Sequence, residues 1–311
     1  MATWIPESAS RSPATAGRSF GLAGIGAAIV REPVALLGLA LVALYVAVAL
    51  VVGFLPLRDP LQVSAQRLVG PTPEFPFGTD ALGRDVLSRV LFGARLSIRV
   101  AVLSVAIATI VGGALGLISG YLGGWADLVI GRVLDVFFAF PAILLALGIV
   151  AALGPDPSNV IIAIAVVYTP IFARVVRGPV LALRARDFVE AARAVGATSS
   201  RIVVRHILPN LMSTLVVQVS LALSWAVLTE GALSFLGLSA QPPAPSWGVM
   251  LSEGRQYLEF ATHLAVFPGL AIMVAVLGFN LLGDGLRDEL DPQRRSGSRA
   301  RHARMSGDWP C

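Results

Sequence analysis

Long apolar runs alternate with short polar connections over most of the chain, and the runs are long enough to cross a bilayer. Residues 34–55 form the first, 22 residues without a charge, where about 20 apolar residues suffice to span the hydrocarbon core. Comparable runs occupy residues 100–121, 134–153 and 159–176, then a run from Leu211 through Trp225 to Glu230, and residues 263–282. The pattern predicts an all-α polytopic membrane protein with six transmembrane helices. No cleavable leader is expected, because the first apolar run is long enough to be an uncleaved span.

Finer patterning divides the chain further. Residues 1–31 are small and polar and read as a tail. Residues 32–99 hold the first span and a connection carrying Pro56, Pro60, Pro71, Pro73 and Pro76. After Gly83, the apolar positions Val86, Leu87, Val90 and Leu91 recur at helical spacing and predict an interfacial helix leading into the second span. Asp80 is a candidate cap for it, and Asp85 can pair with Arg89 four residues on. Residues 100–290 form the membrane core. Gly112, Gly116 and Gly120 fall four residues apart, so one face of the second span lacks side chains and lets a neighbouring helix approach. Pro141 and Pro170 lie inside the third and fourth runs and predict kinks. Residues 291–311 are arginine-rich and read as a disordered tail.

One stretch breaks the apolar rhythm. Residues 187–209, DFVEAARAVGATSSRIVVRHILP, are polar and charged between two strongly apolar segments. Asp187 is placed to cap a short helix, with Glu190 three residues on, and Gly196 is placed to end it in a left-handed turn. A second short helix is expected from near Thr198, stopping before Pro209. Phe188, Ala192 and Val195 share one face of the first helix and can pack on a partner or on the protein's own helix ends.

Composition then removes whole classes of activity. The chain has 311 residues, 56% hydrophobic and 14% charged, with a mean hydropathy of +0.77. All 24 basic residues are arginine. A phosphate-binding loop, a kinase site and a Schiff base each need a lysine, so nucleotide chemistry has to reside on another protein. The single cysteine, Cys311, excludes an intrachain disulfide, and His206, His263 and His302 are too scattered for a metal site. No cofactor is implied. A secondary transporter or channel would need coupling-ion residues at mid-membrane, and the spans hold almost no ionisable groups there. The exception is Glu230, about 28 Å along its helix from Leu211 and near the core boundary, which makes it a candidate for the substrate path.

Charge also predicts orientation. Six spans put both termini and residues 187–209 on one side. That side carries 17 arginines, the opposite side seven. The positive-inside rule makes the arginine-rich side cytoplasmic.

The central stretch resembles the EAA loop of ABC-importer permease subunits through Glu190, Ala191, Ala192, Gly196, Leu208 and Pro209. FGTDALGRDVLSRVLFGAR, the GALSFLGLS after Glu230, and GDGLRDELDP are similar to the C-type permease subunit of dipeptide, oligopeptide and nickel importers. The resemblance implies the type I ABC-importer permease fold and ATP-driven uptake of di- or oligopeptides, with nickel chelates or glutathione as alternative cargo. It implies as partners a second homologous permease, two cytoplasmic ATPase subunits, an extracytoplasmic solute-binding protein and membrane lipids, with no nucleic acid. The EAA helix, with Asp187 at its head, would then seat in a groove of the ATPase.

Overall fold

The computed structural model describes residues 32–290. The two tails set apart above, 1–31 and 291–311, lie outside the described residues. Among those residues the regular structure is helical, with one isolated antiparallel bridge between Thr79 and Asp85.

Helix α1 (Pro33–Val51) starts with proline in the first turn, where a missing N–H costs nothing. It lies along the last helix, α10 (His263–Leu290), at contacts as close as backbone on backbone. A Cβ at Gly38 would sit 2.3 Å from Leu282 N, and one at Gly285 would sit 2.5 Å from Ala35 N.

Helix α2 (Val86–Leu122) corrects the expected division into an interfacial helix and a span. It is one continuous helix of 37 residues, about 55 Å long, against a hydrocarbon core of about 30 Å. Its polar positions do not break it, and Arg89 and Arg95 find partners on neighbouring segments. Arg95, for example, donates to the carbonyls of Ala49 and Leu50. The capping expectation is also corrected. Asp85, not Asp80, caps α2, its carboxylate accepting from the Ser88 N–H and hydroxyl, while Asp80 pairs with Arg84.

The third span is broken rather than kinked. Helix α3 (Gly124–Phe138) and helix α4 (Ala142–Leu153) meet at 87°, with Pro141 as the first residue outside α4. Helix α5 (Pro157–Arg184) continues without a break past Pro170 and Pro179. It packs on α2 along the glycine face. A Cβ at Gly112 would lie 2.4 Å from the Thr169 carbonyl oxygen, one at Gly116 2.4 Å from that of Ala173, and one at Gly120 2.9 Å from Val180 Cβ.

After α5 come helix α6 (Asp187–Ala194), helix α7 (Ser199–Ile202), a π turn (Val203–Ile207) and helix α8 (Leu208–Phe235). Helix α9 (Trp247–Gly254) wedges against α8 and α10, and buried Trp247 donates from Nε1 to the Val90 carbonyl at 2.8 Å. Five helical stretches are long and apolar enough to cross a membrane, and the bent α3–α4 pair forms a sixth candidate.

Candidate functional site

The 187–209 stretch folds as the sequence suggests at its centre and differently at its ends. Helix α6 ends at Ala194 with Val195 as its C-cap, and Gly196 adopts φ +80°, the left-handed region where a side chain is strained. Gly196 N–H bonds the Arg193 carbonyl at 2.9 Å and Ala197 N–H bonds that of Ala192 at 3.0 Å, the paired bonds of a Schellman turn. Thr198 then caps α7 by accepting from Arg201 N–H.

Two end details are corrected. Arg186, not Asp187, occupies the cap position of α6, and no side chain caps that helix. Asp187 and Glu190 instead sit in its first turn, where their charge favours the positive helix end. Pro209 does not stop the second helix. The Leu208 N–H reaches back five residues to the Val203 carbonyl, and this π turn carries the chain through the proline into α8. Asn210 donates its side-chain amide to the His206 carbonyl at 2.6 Å, supplying one of the bonds the proline region needs.

The buried face of this segment joins three spans. Val189, Ile202 and Ile207 pack into one cluster with Tyr121 at the end of α2, Val176 and Val180 of α5, and Leu211 of α8. Half-buried Ala192 also packs on it, while Arg193 lies over the Tyr121 ring, 5.7 Å from its centroid. The opposite face is open. Asp187, Glu190 and Ala191 are exposed, as are Phe188 at 41% and Val195 at 85%. The stripe of Phe188, Ala192 and Val195 is therefore divided, with its middle turned inward and its ends turned out. The arrangement is a knuckle with a polar, partly apolar outer surface, and it holds no reactive constellation.

Glu230 is placed away from any surface. It is 0% exposed, accepts from Ser97 Oγ at 3.0 Å and Ser239 Oγ at 3.5 Å, and lines neither of the two cavities described in the molecule. It joins α2, α8 and the segment before α9.

Sequence reasoning missed a second charged constellation, at the end of the molecule opposite the knuckle. Asp80, Arg84, Arg89 and Glu253 surround a cavity of about 210 Å³. The signal was present in GTDALGRDVLSR, whose charges outnumber what an exposed interfacial helix needs. The Glu253 partner lies 164 residues from Arg89 and is legible only in three dimensions. Among the described residues, no group of acidic, histidine or cysteine side chains is arranged to hold a metal ion.

Comparison with known proteins follows this geometry. The family model for the binding-protein-dependent transport system inner membrane component matches residues 112–296. The chain is 46% identical over 267 residues to the dipeptide transport system permease protein DppC of Alkalihalophilus pseudofirmus, covering 86% of this chain and 88% of that one. It is 49% identical over 227 residues to the glutathione transport system permease protein GsiD of Pectobacterium atrosepticum, covering 73% and 75%. In fold it is similar to a chain of the MetNI methionine ABC transporter in an inward-facing conformation, with TM-score 0.54 and 19% identity over 66% of this chain and 98% of that one.

Proposed function

We propose, for a chain that belongs to the family of binding-protein-dependent transport system inner membrane components, that residues 187–209 are the handle through which a separate ATPase drives transport. The chain is a multi-pass membrane permease of the ABC-importer class. Its working assembly would contain a second permease, two ATPase subunits on the arginine-rich side and a solute-binding protein on the other. Short peptides are the proposed cargo, a reading supported by relatives named for dipeptide and glutathione transport, both of them short peptides.

The observation that carries the handle reading is the cluster around Val189, Ile202 and Ile207. The ends of α2, α5 and α8 all close on it, so a force applied to the outer face of α6 reaches three spans at once. The glycine seam of Gly112, Gly116 and Gly120 makes α2 and α5 move as one body. Asp187, Glu190, Ala191 and Val195 are left outward for the partner, while Leu208 and Pro209 join the handle to α8. Glu230, closed off from both cavities, is assigned to holding α2 and α8 together at the other end rather than to meeting the cargo.

Site-directed cross-linking tests the handle. With Cys311 changed to serine, Ala191→Cys and Val195→Cys should each cross-link to a co-purifying ATPase, and a buried control, Val189→Cys, should not. Uptake by the chain in liposomes without any ATPase, or cross-linking only at the buried position, would sink the reading. Cargo is tested separately by ligand binding to the cognate solute-binding protein, with short peptides set against nickel chelates.

A further inference from the structure

The cavity at the far end from the handle is built around two buried arginines with more donors than partners. A guanidinium carries five N–H donors. Arg84 uses two, Nε to Asp80 Oδ2 at 2.5 Å and Nη2 to Glu253 Oε2 at 3.1 Å. Arg89 also uses two, Nη1 to the Pro243 carbonyl at 3.5 Å and Nη2 to Glu253 Oε2 at 3.2 Å. The Arg89 side chain is only 1% exposed, lines the cavity, and its Nε reaches no hydrogen-bond acceptor. Asp80 Oδ2 stands 3.6 Å from that nitrogen, an ion-pair distance. Buried donors of this kind are costly to leave unmade.

The acceptors are spent in the opposite sense. Asp80 is consumed locally, its Oδ1 taking the backbone N–H groups of Leu82 and Arg84. Glu253 is different. Its Oε2 receives both guanidiniums, its Oε1 accepts no hydrogen bond among the described residues, and its side chain, 35% exposed, lines the cavity. The cavity therefore offers unused cationic donors beside an unused anionic acceptor.

Charge balance selects the ligand. Around the cavity, two guanidiniums and two carboxylates cancel; the neighbouring Asp85, which does not line it, gives Oδ2 to the N-terminus of α2 and leaves its buried Oδ1 without a hydrogen bond. A lone anion or a lone cation would leave uncompensated charge in a partly desolvated site. A molecule carrying both charges close together would not. At about 210 Å³ the space is smaller than the ~300 Å³ and upward that takes drug-sized ligands. The geometry points to a binding site for a small zwitterion, a dipeptide or free amino acid, with its carboxylate on Arg84 and Arg89 and its ammonium on Glu253. The site adds to the peptide reading of the proposed function and rests on it only for the choice of dipeptide as probe.

The test uses the assembled importer in lipid nanodiscs without its solute-binding protein. Equilibrium binding of radiolabelled dialanine is measured and then competed with N-acetyl-dialanine and dialanine amide, each of which lacks one charge. Dialanine should bind saturably, and each capped form should compete at least about tenfold more weakly, as expected when one buried charge loses its partner. Ala81→Phe, which fills the cavity without touching a charge, should abolish binding. Glu253→Gln, which keeps an acceptor but leaves the cluster net positive, should reverse the order so that N-acetyl-dialanine binds more tightly than dialanine. Absence of saturable binding, or binding that Ala81→Phe leaves unchanged, overturns the site. Equal competition by N-acetyl-dialanine in the unaltered protein overturns the zwitterion assignment. Uptake by the complete importer is followed in parallel. Peptide uptake without dialanine binding condemns this site alone, whereas dialanine binding without peptide uptake supports the site and condemns the cargo reading.

Discussion

Gly196 offers the sharpest test of the handle, because its substitution adds strain without a clash. Its φ is +80°, and a Cβ built there meets nothing within 4 Å. In Gly196→Ala the cost is therefore conformational, about 1–2 kcal/mol for an L-residue in the left-handed region. That figure matters because α6 is lightly anchored. It buries one side chain fully, Val189, and burial of a valine is worth about 1.5–3 kcal/mol. The strain thus offsets a large share of what holds α6 against α2, α5 and α8, and shifts the docked-to-undocked ratio by a factor of about 5–30. Asparagine tolerates the left-handed region better than alanine.

The expected order of transport is glycine above asparagine above alanine. Solute uptake per ATP hydrolysed, in proteoliposomes containing all subunits, should fall in that order while protein amount and thermal unfolding of the membrane core stay unchanged. Hydrogen exchange at the amides of residues 189–197 should rise in the alanine variant. Full coupling in Gly196→Ala, or an asparagine variant as poor as alanine, would refute the link between the Schellman turn and force transmission.

Three further outcomes follow from the packing. Gly116→Ala forces a Cβ to 2.4 Å from the Ala173 carbonyl oxygen and should cost about 1–3 kcal/mol by overpacking. Gly113→Ala, with nothing within 4 Å, should be neutral or stabilising by up to about 1 kcal/mol, and equal unfolding midpoints for the two would contradict the seam. Glu230→Gln preserves hydrogen bonding to Ser97 and Ser239 and should keep normal uptake, whereas Glu230→Leu leaves those hydroxyls unmatched at about 1–3 kcal/mol. Loss of uptake in Glu230→Gln at normal protein levels would return Glu230 to the substrate path. Trp247→Phe removes the 2.8 Å bond to the Val90 carbonyl and should lower stability by about 1 kcal/mol, read as a shifted thermal midpoint.

Much of the fold was legible because membrane spans announce themselves by length and apolarity, and the handle because its charge interrupts them. The prolines show where legibility ends. Pro141 stands where two helices meet at 87°, Pro170, Pro179 and Pro268 sit inside unbroken helices, and Pro209 is absorbed by a π turn. The residue is the same in each case. The result depends on whether neighbours or a changed hydrogen-bond register can accommodate the missing bond, which local sequence does not record. The apolar spacing from Val86 to Leu91 likewise suggested an interfacial helix set apart from the second span, with arginines between them. No break forms there, and Arg89 and Arg95 find partners on α9, its preceding loop and α1. The outer cavity was invisible for the same reason, as Arg89 and Glu253 meet only after six helices intervene.

Helix α2 connects the two ends of the molecule. Its first turn is fixed beside the Arg84–Arg89–Glu253 cavity through the Asp85 cap, and its last residues, with Tyr121, lie under the handle. Over about 55 Å it is a continuous rod, and along Gly112, Gly116 and Gly120 it is locked to α5 at backbone contact. A rod that stiff cannot absorb a displacement at one end by bending in the middle, because close-packed helices transmit strain rather than dissipate it. Movement of the handle must therefore either tilt the α2–α5 pair as a unit or break the seam, and breaking it would expose the glycine face with nothing to replace the lost contacts. Tilting is the cheaper response. It would carry Arg89, on α2, along with the handle, and the Trp247–Val90 bond ties α9 and its Glu253 to the same rod.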